Sequence, residues 1–309
     1  MPENRLIVNS SPHLKSMRTT RGIMFDVIIA LVPAVIFSIY FFSYIAAVIV
    51  AVSTATAVLF EVLYNLVAKK KQTAGNLSAV VTGIILALNL PPVKSSIWIA
   101  AIGTFVAIVI VKMLFGGIGK NIFNPAIAAR VFLTVSFAGQ MTAWVAPGVD
   151  GISTATPLAL IQNGTSVGYL DLFLGNIGGS LGETSALALL IGLLWLLARK
   201  VITWHIPVSF IGTVALFSFF FGQDPLFHVL AGGLLLGAIF MATDYVTSPT
   251  TWIGKLIFGF GCGLITIAIR LFGNLPEGVS FSILFMNALV PLIDRYTVPK
   301  SFGEVKANA

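Results

Sequence analysis

The chain has 309 residues, of which 57% are hydrophobic and only 9% are charged, and its formal net charge is +7. Soluble domains carry about 25% charged residues, so this composition excludes a soluble globular protein and indicates an integral membrane protein. The positive charge therefore gives no reason to expect a nucleic-acid partner. The one cysteine, Cys262, excludes disulfides within the chain. It also excludes an iron–sulfur cluster held by this chain alone, which needs about four thiolates.

The first 23 residues form a basic and polar segment that precedes any long apolar stretch. A cleavable signal peptide would place its apolar stretch sooner. Residues 24–42 are therefore predicted to stay in the mature protein as the first membrane span.

The remaining chain is predicted to be an all-α polytopic membrane protein, because a spanning helix needs about twenty mostly apolar residues and many segments approach that length. Ten spans are predicted, of which the third, fifth and sixth are short: 24–42, 44–67, 77–90, 96–114, 124–138, 184–198, 205–221, 227–242, 253–270 and 279–293. They form two five-helix halves, 24–138 and 184–293, with a tail at 294–309.

The distribution of basic residues gives the predicted orientation. If the N-terminus is cytoplasmic, all Lys and Arg residues, including Lys112, fall in or beside cytoplasmic segments, with three exceptions: Lys94, Arg130 and Arg270. The positive-inside rule produces this asymmetry. Both termini are therefore predicted to be cytoplasmic.

The long segment 139–183, between spans five and six, contains Asp150, Asp171 and Glu183 but no Lys or Arg. It is therefore predicted to lie outside. Its leucine and aromatic residues argue against disorder, and we expect it to fold back on the membrane surface as a cap.

An internal repeat is predicted from weak matches between the halves. VVTGIILALNLP (80–91) resembles LLLGAIFMATDY (234–245), and each is followed by Leu-Phe-Gly, at 114–116 and 271–273. The matching segments run in opposite directions through the membrane. Two inverted repeats of five helices, a plan that places a site at the repeat interface, are the predicted architecture.

The outer segment contains DGISTATPLA (150–159), in which three small alcohols precede a proline. One interpretation is a turn, in which Pro157 opens a short helix and Thr156 caps it. The other is an attachment point, since a hydroxyl without a neighbouring base can accept a group transferred by another enzyme. Local composition alone favours the turn.

DGISTATPLA resembles a flavinylation motif, Asp-x-x-Ser-x-Ala-Thr, in which the final threonine is esterified through the phosphate of FMN. Asp150, Ser153, Ala155 and Thr156 match it. Thr154 adds a second hydroxyl where a small residue is more common, so the attachment site could shift by two residues, although the spacing favours Thr156.

Two further stretches resemble the same family in the expected order. GGIGKNIFNPA (116–126) is similar to its GG-x-G-x-N-x-FNPA signature, and MATDYVTSPT (241–250) is similar to its ATDPVTSP stretch, with Tyr245 in place of the usual proline. The chain is thus identified as a member of the RnfD/NqrB family. Its short N-terminal segment makes it most like the RnfD branch, which belongs to the Rnf ion-translocating ferredoxin:NAD oxidoreductase complex.

The resemblance implies covalent FMN at Thr156 and leaves room for a second, non-covalent flavin, which is riboflavin in the sodium-pumping relative. It implies other Rnf subunits as partners, including iron–sulfur and flavoprotein subunits, and a flavin transferase. The chain would then be an electron-transfer subunit of a translocase, in a bacterial or archaeal plasma (inner) membrane, without a catalytic residue or complete active site of its own. NAD and ferredoxin would bind partner subunits.

Two charges lie well inside predicted spans, away from the span ends. Glu61 and Arg130 are each six residues from the cytoplasmic end of their span, about 9 Å deep at 1.5 Å per residue. A lone charge near mid-span costs roughly 2.5–3.5 kcal/mol, so we predict that the two compensate each other. Alternatively, Arg130 snorkels to the surface, and Glu61 belongs to a cation or proton path.

The remaining candidates lie at span ends. Asp26 and Asp244 are predicted to be helix-end residues, with ion gating as the less favoured alternative. In GGIGKNIFNPA, Gly119, Asn121 and Asn124 form either a tight turn at the start of a helix or a ligand site, where the second flavin would bind.

No metal site is expected, since the three histidines, His13, His205 and His228, lie far apart in sequence and share no motif. The alternative to a flavoprotein is a secondary transporter or channel, which inverted repeats and charges within the membrane would equally suit. A scaffold without a cofactor is the third hypothesis.

Overall fold

The computed structural model describes residues 18–147, 156–162, 168–273 and 278–299, and within these ranges it is helical, without strands. The α-helices are α1 Thr20–Val67, α2 Ser78–Leu88, α3 Ser96–Phe105, α4 Pro125–Ser136, α5 Ala138–Met141, α6 Pro157–Gln162, α7 Tyr169–Leu174, α8 Ala186–Ala198, α9 His205–Phe220, α10 Pro225–Leu230, α11 Leu234–Leu236, α12 Trp252–Phe272 and α13 Val279–Thr297. Two of them continue as π-helices: α3 over Val106–Met113 and α11 over Gly237–Met241.

The long helix α1 is broken once, at Ser43, whose φ of 56° and ψ of −151° are not helical. The break falls between the first two predicted spans. Ile28 and Ile39 before it line the same apolar groove as Ala47 and Val58 after it, so the two arms lie side by side as a hairpin. The predicted boundary at residue 43 is confirmed.

Four helical stretches are long and apolar enough to cross a membrane: Thr20–Val67, Ser96–Met113, Trp252–Phe272 and Val279–Thr297. Four shorter apolar helices accompany them: Ser78–Leu88, Pro125–Ser136, Ala186–Ala198 and His205–Phe220. The chain is therefore a helical, multi-pass membrane protein. The count of ten spans and the inverted repeat stay predictions.

The predicted span 227–242 is not a continuous helix, and that prediction is wrong. Helix α10 ends at Leu230 and α11 begins at Leu234. Between them Gly232 has a φ of +69°, a left-handed conformation that ends regular helix. The Arg270 guanidinium donates hydrogen bonds to the carbonyls of His228 (2.6 Å) and Ala231 (3.1 Å), which takes up acceptors that the interruption frees.

Helix α2 lies at the centre of the fold, since ten of its eleven residues are buried. It packs against both α1 and α4. A Cβ added at Gly83 would lie 2.8 Å from the Cα of Thr54 and 2.9 Å from the carbonyl oxygen of Ser53. The hydroxyl of Ser53 in turn donates to the carbonyl of Gly83 (2.7 Å). The second arm of α1 therefore contacts α2 backbone to backbone.

We expect Gly83→Ala to destabilise the protein by about 1–3 kcal/mol, because the new methyl group would overpack against the backbone of α1. Gly212→Ala in α9 is the matched control, because a Cβ there would meet nothing within 4 Å. Unfolding of the purified protein in mixed micelles, followed by circular dichroism, measures both variants. Equal stability of the two variants would contradict this packing.

Candidate functional sites at the two ends of α2

A cavity of about 330 Å³ lies at the N-terminal end of α2. Its lining is mainly apolar, with polar groups from several separate stretches of the chain. Those groups include Ser78, Lys112, Asn121, Asn124 and Asp244. Two of the stretches predicted to matter, GGIGKNIFNPA and MATDYVTSPT, therefore meet at one cavity.

The glycine-rich stretch forms a tight turn at the start of α4, as one of its two interpretations predicted. Gly116, Gly117 and Gly119 all have positive φ, between 88° and 113°. The side chain of Asn124 accepts hydrogen bonds from the first amides of α4, and Pro125 occupies its first turn. Because Gly119, Asn121 and Asn124 also line the cavity, the turn and the ligand-site interpretations are compatible.

Glu61 does not pair with Arg130, and that prediction is wrong. The Lys112 ammonium lies 2.7 Å from Glu61 Oε2, and both side chains are buried. It also donates to Ser78 Oγ (2.7 Å), while Thr73 Oγ1 donates to Glu61 Oε1 (2.5 Å). Lys112, counted with the basic residues in or beside cytoplasmic segments, is buried and only 3% exposed.

Arg130 pairs with Glu183, a residue of the predicted outer segment. Arg130 Nη1 lies 2.8 Å from Glu183 Oε1, with side chains 6% and 3% exposed. Arg130 also donates to the Asn89 side chain at the other end of α2. Arg130 is buried in these contacts, so the alternative that it snorkels to the cytoplasmic surface is also wrong. Glu61 and Arg130 were predicted to pair because they lie at the same depth in their spans. Glu61 is on α1 and Arg130 is on α4, however, and α2 packs between these two helices.

The two aspartates at helix ends have separate partners. Asp26 accepts from Arg199 (3.1 Å) in a pair whose arginine side chain is 57% exposed. Asp244 Oδ2 accepts from the hydroxyl of Thr247 (3.0 Å). Burial raises the pKa of the Asp244 carboxyl, and hydrogen bonds from Thr247 and the backbone act in the opposite direction. Asp26 joins α1 to α8, and Asp244 lines the cavity.

Thr156 lies near the other end of α2, where it is 5% exposed. Helix α6 begins at Pro157, directly after it, and the Leu160 amide donates to the Thr156 carbonyl (2.9 Å). The short helix of the turn interpretation is therefore present. The other motif residues, Asp150, Ser153 and Ala155, and the neighbouring Thr154, lie outside the described residues.

A cleft of about 10 Å³ borders Thr156. Besides the apolar side chains of Pro157, Leu158 and Ile177, it is lined by three glycines and one carboxylate: Gly178, Gly179, Gly232 and Glu183. A Cβ at Gly179 would meet nothing within 4 Å. A Cβ at Gly232 would lie 2.9 Å from Leu158 Cδ1 and 3.2 Å from Arg270 Nη2. Thr156 is thus close to an ion pair on one side and to a buried guanidinium on the other.

The described part of the segment 139–183 is held against the C-terminal end of α2. The amides of Leu181 and Gly182 donate to the carbonyls of Leu90 (3.0 Å) and Leu88 (2.7 Å). Leu158, Leu172 and Ile177 of this segment form a separate apolar cluster with Phe227 and Ala231. Helix α2 has eleven residues, so the cavity at Ser78 and the segment bound at Leu88 are about 15 Å apart along its axis.

Buried amides connect the two ends. Asn89, which accepts from Arg130, donates to Met241 Sδ (3.7 Å), and Asn124 donates to the Met241 carbonyl (3.0 Å). The backbone N–H of Asn124 also donates to Asn287 Oδ1 (3.2 Å). Met241 therefore links Asn89, the partner of Arg130, to Asn124 on the cavity wall.

Three of these residues were missed as site residues by sequence reasoning: Lys112, Glu183 and Asn89. Lys112 was detectable, since it lies inside the predicted span 96–114 and a charge such as Glu61 within the membrane needs a partner. Glu183 and Asn89 gave no signal, because a carboxylate or an amide at a span end is ordinary.

These features define a class: a helical multi-pass membrane protein with a polar-walled cavity at one end of a buried helix and a glycine-lined threonine at the other. The profile of the NQR2, RnfD, RnfE family matches residues 7–303. The chain belongs to this family, as the resemblance of its three motifs predicted.

Relatives of known name match nearly the whole chain. The D subunit of the Na(+)-translocating ferredoxin:NAD(+) oxidoreductase complex of Acetobacterium woodii is 47% identical, over 99% of this chain and 98% of the relative. The D subunit of the proton-translocating ferredoxin:NAD(+) oxidoreductase complex of Clostridium ljungdahlii is 42% identical, over 97% of both chains. The D subunit of an ion-translocating oxidoreductase complex of Escherichia coli is 36% identical, over 97% and 99%.

Proposed function

We propose that this chain is the membrane flavoprotein subunit of an ion-translocating ferredoxin:NAD oxidoreductase complex and that Thr156 carries FMN through a phosphoester. The observation that carries the proposal is the setting of Thr156, a motif-matched hydroxyl residue that borders a glycine-lined cleft. Other subunits of the complex, with iron–sulfur and flavin centres, would exchange electrons with it and bind NAD and ferredoxin. The membrane would be the plasma membrane, with both termini cytoplasmic and Thr156 outside.

The described residues around Thr156 fit a phosphoester. Gly178 and Gly179 present no side chains to the cleft, and a Cβ at Gly179 would meet nothing within 4 Å, so a group can approach the backbone there. The Arg270 guanidinium lies behind Gly232, and guanidinium groups match phosphate oxygens in charge and geometry. Because Thr156 is 5% exposed, the flavin transferase would act while this segment is open.

Bound FMN would supply the redox chemistry, and the protein would supply position and electrostatics. Thr156 would anchor the phosphate at the outer end of α2. Glu183, fixed by Arg130 at 2.8 Å, would keep the wall of the cleft in place. The cavity at the inner end would accept a second, non-covalent flavin, with Asn121 and Asn124 as polar contacts on its wall.

The proposal is tested by flavin fluorescence on a denaturing gel. We expect a fluorescent band at the mass of the chain when it is produced together with a flavin transferase, and a dark band when the transferase is absent. A dark band in both cases would reject covalent FMN.

The 330 Å³ cavity with its buried ion pair also suits a secondary transporter that works without a cofactor. The same gel separates the two functions, because a transporter would remain dark. Saturable uptake of a solute by the dark chain alone, in proteoliposomes, would then favour the transporter.

A further inference from the structure

Helix α7 has apolar residues on both its buried and its exposed side. Leu172 is buried, whereas Leu170 is 75% exposed and Leu174 is also exposed. At about 100° per residue, Leu170 and Leu174 lie about 40° apart around the helix, so they form one face. Asp171 is the one charged residue of α7. A helix that lies in water turns polar residues outward, so the exposed leucine face of α7 points to an apolar environment.

A hydrogen bond places the start of α7 at the end of α9. The Tyr169 hydroxyl donates to Asp224 Oδ2, and Asp224 Oδ1 accepts from the amides of Leu226 and Phe227 at the start of α10. Asp224 follows Phe220, the last residue of α9, by four positions. Helix α7 therefore begins at the level at which α9 ends.

The C-terminal ends of α9 and α12 expose four phenylalanines, here called the phenylalanine belt: Phe219, Phe220, Phe221 and Phe272. The rings of Phe221 and Phe272 meet edge to face, with their centroids 5.7 Å apart. Helix α12 is long and apolar enough to cross a membrane. The exposed phenylalanines at its end and at the end of α9 are therefore surface that faces lipid.

The leucine face of α7 continues the phenylalanine belt. Helix α10 packs against both α9 and α7, and its Leu226 is exposed as well. Exposed apolar surface of this kind, next to a membrane span, marks a membrane contact. Neither α7 nor α10 contains Lys or Arg. Burial of apolar area would therefore carry the contact, without attraction to anionic headgroups.

The buried side of α7 leads to Thr156. Leu172 shares an apolar cluster with Leu158 and Phe227, and Leu158 is two residues after Thr156. Any contact that fixes α7 therefore also fixes the position of Thr156 relative to the membrane.

We propose that α7 is a membrane-surface anchor. Leu170 and Leu174 lie among the lipids that surround the phenylalanine belt, and Leu172 ties Leu158 to this anchor. The partner is the lipid leaflet itself, at the boundary between its headgroups and its acyl chains. The anchor keeps Thr156 at the membrane surface. It does not depend on flavin at Thr156, and its failure would leave the proposed function untouched.

Spin labels on the purified full chain in phosphatidylcholine nanodiscs test the anchor. The buried Cys262 is replaced by alanine, and one exposed position at a time is labelled: Leu170→Cys in α7, Leu216→Cys in α9, or Asn176→Cys just after α7. Power saturation compares collisions with oxygen, which concentrates in lipid, and with a water-soluble nickel complex. We expect the ratio of oxygen to nickel collisions at Leu170 to match that at Leu216 and to exceed that at Asn176 several-fold.

Hydrogen exchange in the same nanodiscs tests whether the anchor also fixes α6. The amides of Leu172 and Leu160 donate to carbonyls at the start of α7 and α6, respectively. In Leu170→Ser/Leu174→Ser we expect both amides to exchange about tenfold or more faster, because two leucines no longer hold α7 in lipid. Asn176→Ser, which changes an exposed polar residue, is the control and should leave both amides at the wild-type rate.

Any of three results would overturn the proposal. Nickel collisions at Leu170 as frequent as those at Asn176 would place α7 in water. A label at Leu170 that neither reagent reaches, in membranes that hold the other subunits of the proposed complex, would make a protein subunit the occupant of this face. Exchange at the wild-type rate in the double serine variant would leave the leucine face without an anchoring role.

Discussion

Replacing Arg130 with methionine is expected to destabilise the protein by about 3–5 kcal/mol, because the substitution leaves a buried carboxylate without its counter-charge. Glu183 is 4% exposed and lies 2.8 Å from Arg130. Arg130 also donates to Asn89 at the end of α2, so its guanidinium links α4 both to α2 and to Glu183. Unfolding in mixed micelles at increasing dodecyl sulfate, followed by circular dichroism, measures the change.

The exposed ion pair of the same chain is the control. Arg199→Met removes a guanidinium that is 57% exposed in its pair with Asp26, and we expect a loss of less than about 1 kcal/mol. The double variant Arg130→Met/Glu183→Gln should recover part of the stability, since the isolated carboxylate is gone. An Arg130→Met variant no less stable than Arg199→Met would contradict a structural role for the buried pair.

Thr156→Val is expected to abolish covalent flavin completely. Valine has the shape of threonine without its hydroxyl, so the buried side chain should keep its packing beside Leu158 while the oxygen that forms the ester is removed. The readout is the ratio of flavin absorbance to protein after denaturation and removal of free flavin.

Two matched variants locate the attachment. Thr156→Ser keeps a hydroxyl at the same position, and we expect it to retain bound flavin. Thr154→Val, two residues away, should retain it fully. Loss of flavin in Thr154→Val but not in Thr156→Val would move the anchor to Thr154. Equal thermal stability of the variants without flavin would exclude misfolding as the cause.

Local chemistry predicted several elements from the sequence alone. The break at Ser43 follows from a run of apolar residues too long for one span, and the start of α4 follows from Asn124 and Pro125, a capping residue and a helix-opening proline. Each depends on neighbours in sequence. The same holds for the short helix after Thr156.

Pairing between distant residues could not be predicted in the same way. The span boundaries predicted equal depths in the membrane for Glu61 and Arg130. Their partners depend instead on the helix that lies between them, which is α2. The interruption at Gly232 depends on a guanidinium from α12, 38 positions further along the chain. No local pattern carries that information.

The burial of Thr156 is also a property of the assembled fold. Its cleft is built by Gly178, Gly179 and Glu183 from one stretch and Gly232 from another. The motif identified the residue, and only the fold shows that it lies beside a buried ion pair at the end of α2.

The central claim is that the hydroxyl of Thr156 anchors FMN, and tandem mass spectrometry of the proteolytic peptide spanning 150–159 tests it most directly. The chain should be produced with a flavin transferase and digested without reduction of the flavin. We expect a peptide heavier by one FMN less one water, with the added mass assigned to Thr156. An unmodified peptide, or added mass assigned to Ser153 or Thr154, would contradict it.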